Sequence, residues 1–380
     1  MQKKTRLLWA VALACAMVGG LSISPARAAE SSTQAAGESI VQYAKKFIAD
    51  VTNPQIPWTG PTTGPKAVPD KFVVYVANDE RNTSAHEVQE GAAAAAKVLG
   101  WKFRALDGRG TVAGQSSALS QAISLKPDGI ILGSVDAIEQ KALIDKAEKM
   151  GIKVDGWHAG GTAGVLHNPY VFWNVTTNPP EVGKAAALLA IARSDGHANM
   201  VVFTDREYAV AIAKSDATVE WLKKCKTCTV LGDIDTPLAA VSSRMGQLTS
   251  ALLTKYGKKW NYSMGINDAY FDFMAPALQA AGISGTSPPY NISAGDGSPS
   301  AFQRIRSNEY QIATVAEPVY EQGWQTIDEL NRAFAGDPPS GFVDPVHVFV
   351  HSNVNADGGA QNVYNPNNGY KKIYVKIWGK

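Results

Sequence analysis

Beyond its opening residues, this sequence has no apolar run approaching the roughly 20 residues needed to cross a bilayer. Neither sign of charge dominates, with 36 basic residues against 34 acidic ones in 380. That balance gives no electrostatic reason to expect nucleic acid or an anionic membrane surface as partner. Histidine is scarce, and the six present form no His-Glu-x-x-His pair. His347 and His351 lie four apart on an expected strand, which does not bring two imidazoles to one metal. No Gly-x-Ser-x-Gly elbow and no Walker sequence occurs, and Gly108-Arg109-Gly110 lacks the further glycine of a dinucleotide fingerprint. These absences argue against an enzyme and against a bound cofactor or metal.

Cysteine is also rare, at three residues. Cys15 falls in a leader-like N-terminus: Lys3, Lys4 and Arg6 precede an apolar stretch at 7–23, which closes on Pro25-Ala26-Arg27-Ala28. This is the pattern of a secretory signal peptide cut after Ala28, which places the protein in the periplasm. Cleavage removes Lys3, Lys4, Arg6 and Arg27 and no acidic residue, leaving a net charge of −2. The remaining pair, Cys225 and Cys228, follows a helical stretch instead of opening one. In an oxidising compartment the pair therefore reads as a small structural disulfide.

What is present is regular alternation. Residues 29–70 read as an amphipathic helix followed by a linker with five prolines at 53–69. From Lys71 onward, short β-branched runs alternate with helical stretches. The expected strands are 72–76, 102–106, 129–132, 152–154 and 170–175, then 200–203, 229–231, 262–266, 290–293 and 311–315, with closing strands at 347–350 and 372–377. Two successive runs of strand–helix units predict an α/β fold of two doubly wound parallel-sheet lobes. In such sheets ligands gather at the carboxyl ends of the strands, and with two lobes the default pocket is the cleft between them.

The loops after those strands carry Arg81 and Asn82, Asp136, Trp157 and His158, then Arg206 and Tyr208, Asn267 and Tyr270, and Asp296. Carboxylates and amides exchange hydrogen bonds with hydroxyls, and flat rings cover apolar C–H faces, so this inventory suits a polyhydroxylated ligand. An aspartate before a helix, such as Asp136, also serves as an N-cap.

The run from Gly265 through Asn267-Asp268 to Gly282, followed by Ile292–Ser298 with its Gly295-Asp296-Gly297, resembles segments of the type I periplasmic sugar-binding proteins. Lys126–Leu132 and Ala313–Glu317 resemble that family's third strand and its crossover between lobes. The similarity covers about residues 71–350. It implies a monosaccharide or polyol held by hinge closure, with delivery to an ABC permease in the inner membrane by a monomer. A sensor presenting its ligand to a membrane receptor is the alternative. The resemblance further implies three hinge crossings, near 174–178, 316–318 and 344–347. The first lobe is then 71–175 plus 318–343 and the second 176–317 plus 344–380. Asn267 and Asp296 fall at polar ligand contacts, Arg81 and Asn82 in the first loop, and Lys214 and Arg206 on an arginine-bearing stretch. Glu317 stands near a hinge contact usually filled by an amide. Ser84 and Ala85 replace the paired phenylalanines of ribose-type members, leaving Trp157, Tyr208 and Tyr270 to supply any stacking.

Overall fold

The computed structural model describes residues 39–380; the signal peptide expected at 1–28 lies outside them. Six strands form a first sheet: β1 (Phe72–Ala77), β2 (Lys102–Asp107), β3 (Gly129–Gly133), β4 (Lys153–Trp157), β5 (Gly164–His167) and β6 (Tyr170–Val175). Their spatial order is β2-β1-β3-β4-β6-β5. All pairs are parallel except β5 with β6. The second sheet holds β7 (Asn199–Thr204), β8 (Thr229–Asp235), β9 (Tyr262–Gly265), β10 (Tyr290–Ser293), β11 (Ala313–Ala316) and β12 (His347–Val350), in the order β12-β11-β10-β9-β7-β8. Only β12 runs antiparallel there. Central strands such as β1 and β3 are buried along their length, as parallel strands covered by helices on both faces must be.

The helices follow from local signals. α1 (Ile40–Val51) opens with a capping box between Ser39 and Gln42, and its stripe of Tyr43, Ala44 and Phe47 packs into the second lobe. α2 (Thr83–Leu99) is capped by Asn82 and stopped by Gly100 in the left-handed region, which favours glycine. α3 (Val112–Ser124) and α4 (Lys141–Lys149) complete the first crossovers; α5 (Pro179–Arg193), α6 (Ala209–Lys224), α7 (Val241–Tyr256), α8 (Ala269–Ala280) and α9 (Pro299–Ser307) cover the second sheet. α10 (Val319–Ala335) returns to the first lobe and lies against α2 and β4. Cys225 and Cys228 are joined at the end of α6. Among the described residues no helix is long and apolar enough to cross a membrane.

One element differs in kind from the sequence reading. The strand expected at 372–377 is helix α11 (Tyr370–Trp378). Ile373, Val375 and Ile377 suggest alternation, but the buried set is Tyr370, Tyr374, Ile377 and Trp378, a helical stripe. This helix packs in the first lobe's core, with Trp378 stacked on Trp324 at 5.7 Å and Trp58 of the proline-rich segment edge-on to Tyr374. The C-terminus thus joins the first lobe, not the second.

The chain passes between the sheets after β6, after β11 and before β12. Two further passages lie outside this set. Residues 52–57 lead from α1 on the second lobe to Trp58 on the first, and residues 351–369 lead from β12 to α11.

Candidate functional site

The loops at the carboxyl ends of both sheets face each other across a cavity of about 560 Å³. Asn78, Arg81 and Asn82 line it from the first lobe, and Tyr208, Leu238 and Asn267 from the second. Deeper in, a recess of about 40 Å³ is bounded by Asn78, Ser134, His158, Lys214, Asn267 and Asp296. That recess has room for about one water, whereas the outer chamber has the size of a small-molecule pocket.

Beneath the recess runs a buried charged network. Lys214, on α6, donates to Asp296 Oδ1 and to Glu317 Oε1, both at 3.2 Å. Its backbone reaches this depth because α5 presents Gly183 there; an added Cβ would stand 2.0 Å from the Lys214 carbonyl oxygen. His158 Nε2 lies 3.1 Å from Glu317 Oε1, and Asn267 Nδ2 donates to Asp296 Oδ2 at 3.4 Å. Glu317 Oε2 accepts from Thr177 N–H at 2.9 Å and from Gln322 Nε2 at 3.2 Å. Gln322 also donates to Asp344 Oδ2 at 3.2 Å, so one amide links the crossings that carry Glu317 and Asp344. Burial alone would raise the Glu317 pKa, but His158, Lys214 and the Thr177 N–H hold it well below the usual carboxylate range. Burial would likewise lower Lys214, and Asp296 and Glu317 more than offset it, raising its pKa.

His158, Asp296 and Glu317 place ligand atoms within 4.8 Å of one another, as a metal would need. The Lys214 ammonium already bonds both carboxylates, so this cluster carries its own cation.

The expected site residues divide. Asn82, His158, Tyr208, Lys214, Asn267 and Asp296 border the recess, Arg81 borders the chamber, and Glu317 lies in the network. The Arg81 guanidinium turns back onto Asp79 at 2.7 Å and stays largely in solvent. Four residues are placed elsewhere. Trp157 is fully buried, stacks on His158 at 3.9 Å and donates to Gln322 at 2.7 Å. Tyr270 continues the core stripe of α8, its hydroxyl donating to the Thr236 carbonyl at 2.6 Å. Arg206 is 45 % exposed and pairs with Asp233 at 2.7 Å. Asp136 is buried but borders neither cavity; its Oδ1 accepts from Ile138 N–H at 2.9 Å, and its own helix begins only at Lys141. Of the three proposed stacking rings, only Tyr208 faces the cleft. Phe273, 40 % exposed and not singled out in the sequence, lines the chamber as well. Asn78 was also missed: it directly follows β1, borders both cavities, and its buried Oδ1 has no partner among the described residues.

Residues 72–338 match the periplasmic binding protein domain family. The chain belongs to that family. Its fold recurs in GanP, a glucose-galactose binding protein from Geobacillus stearothermophilus, with a TM-score of 0.67 and 18 % identity over 76 % of this chain and 99 % of that one. An ABC transporter solute-binding protein from Agrobacterium vitis, solved with allitol, gives 0.65 and 22 % over 75 % and 97 % of the two chains. One from Burkholderia graminis, in complex with D-arabinose, gives 0.66 and 16 % over 76 % and 98 %. No sequence match was found among curated proteins. Membership in this family accounts for the two-lobed design.

Proposed function

We propose that this chain is the periplasmic solute-binding component of an ABC importer, enclosing a neutral monosaccharide or polyol between its lobes and catalysing nothing. The observation that carries this reading is the cleft itself. Two parallel-sheet lobes present amides, Tyr208 and a charge-compensated Lys214–Asp296 pair to one space between them. Those groups match hydroxyls that both donate and accept, and the bound allitol and D-arabinose of structural neighbours are ligands of that chemistry. A recess of water size beneath the chamber fits a cleft that parts to admit its solute and closes over it.

A thermal-shift screen of sugars and polyols tests the class, because a solute that binds the folded cleft raises the melting temperature by mass action. With the best binder, Asn267→Ala and Asp296→Ala should each weaken calorimetric affinity by about 1–3 kcal/mol, each leaving a polar partner unpaired. Unchanged affinity in both variants would remove the recess from the binding site.

A further inference from the structure

The start of α6 is not capped by its own segment. Tyr208, the N-cap residue, makes no side-chain capping bond, and the first turn holds no acidic residue. Such a terminus leaves N–H groups unpaired and a partial positive charge exposed. The acceptor comes from the opposite lobe: Asp136, in the loop after β3, accepts from Ala209 N–H through Oδ2 at 2.9 Å. Its other oxygen is held by Ile138 N–H, which fixes the carboxylate's orientation. Two more first-lobe groups meet the same terminus. Gln115 Nε2 lies 3.4 Å from the Tyr208 hydroxyl. Gly161 approaches so closely that an added Cβ would stand 3.1 Å from the Ala209 carbonyl oxygen and 3.5 Å from Ala213 Cβ.

We propose that Asp136 is a closure latch, a positioning residue of one lobe that caps a helix of the other and so sets cleft affinity without touching the solute. The proposal rests on the hinge-closure reading above. When the lobes part, Asp136 Oδ2 and the Ala209 N–H return to water; when they meet, the pair forms along the axis of the α6 dipole. Because it forms only in the closed arrangement, it adds the same increment whichever solute is enclosed, and it acts chiefly on release.

The test removes each partner separately in the full protein. Asp136→Ala deletes the acceptor. Ala209→Pro deletes the donor at the first helical position, which proline favours, and Tyr208 already has the extended backbone (φ −123°, ψ 123°) that suits a residue before proline. Calorimetry with allitol, D-arabinose and D-galactose should show each variant weakening every sugar that binds by the same factor, roughly tenfold. The double variant should be no weaker than the more affected single one. A loss that depends on the sugar's hydroxyl pattern would place Asp136 on the solute and overturn the latch, as would additive losses or none. If the wild type binds no sugar or polyol, the functional reading falls, and X-ray scattering of the unliganded protein judges the latch alone. A larger radius of gyration in Asp136→Ala than in the wild type supports it, and equal radii refute it.

Discussion

Two buried carboxylates lie on either side of Gln322, and their surroundings differ. On the cleft side, Glu317 meets Lys214 and His158 and is held ionised. On the far side, Asp344 receives the same amide but, among the described residues, no cation; burial pushes its pKa up to about 7. Glu321, beside Asp344, is pushed well above its usual range by burial and by that neighbour, with Asn368 donating to it. Burial is common to both faces, so it cannot explain the difference. The presence of Lys214 and His158 on one face alone can. The cation that keeps Glu317 charged comes from a helix of the second lobe, so ionisation at the hinge depends on α6 remaining seated.

That contrast can be broken most forcefully at Lys214. Lys214→Met strands Asp296 and Glu317 without their cation and should cost about 3–5 kcal/mol in urea unfolding, since an unpaired buried charge is not compensated. A loss below 1 kcal/mol would mean that solvent reaches the network. Next in size is the far face. Asp344 has a folded pKa above its unfolded one, so its contribution is present below about pH 4 and lost as pH rises through about 7. Glu321→Gln replaces one carboxylate of this pair with an amide that can donate to Asp344. It should flatten the fall in stability between pH 5 and 8 by about 2 kcal/mol. An unchanged pH profile would separate this acidic pair from the titration. Smallest of all, Arg206→Ala lies on neither face of the comparison, and its exposed pair with Asp233 should alter stability by less than about 0.5 kcal/mol and leave the proposed binding of solute in the cleft unchanged.

Much of the architecture was readable because parallel strands and their covering helices carry strong periodic signals. The boundaries of strands β6, β10 and β12 agree with the reading. Strand β5 gave no such signal, being four residues on an antiparallel edge. The cleft loops were located correctly, but the directions of Trp157, Arg206 and Tyr270 within them were not. Tyr270 could have been recognised as core, because Tyr270, Met274 and Leu278 repeat at helical spacing. Trp157 could not, since its hydrogen-bond partner Gln322 becomes a neighbour only once α10 returns to the first lobe. Asp136 pairs with a backbone N–H 73 residues away, and no local pattern announces such a contact.

The passage of residues 52–57 between the lobes has a mechanical consequence. Trp58 packs tilted against Phe342, ring centroids 5.1 Å apart, and Asn353 donates to the Thr52 carbonyl at 2.9 Å, so this segment runs beside the crossing that holds Asp344. Asn368 ties the C-terminal passage to Glu321 in the same neighbourhood. The halves are therefore bound by a band of five neighbouring covalent spans. Such a band can flex about one line, but it resists twisting or sliding, because either motion would stretch its outer members. Under the proposed closure, such a band would guide the two lobes to meet along a single path.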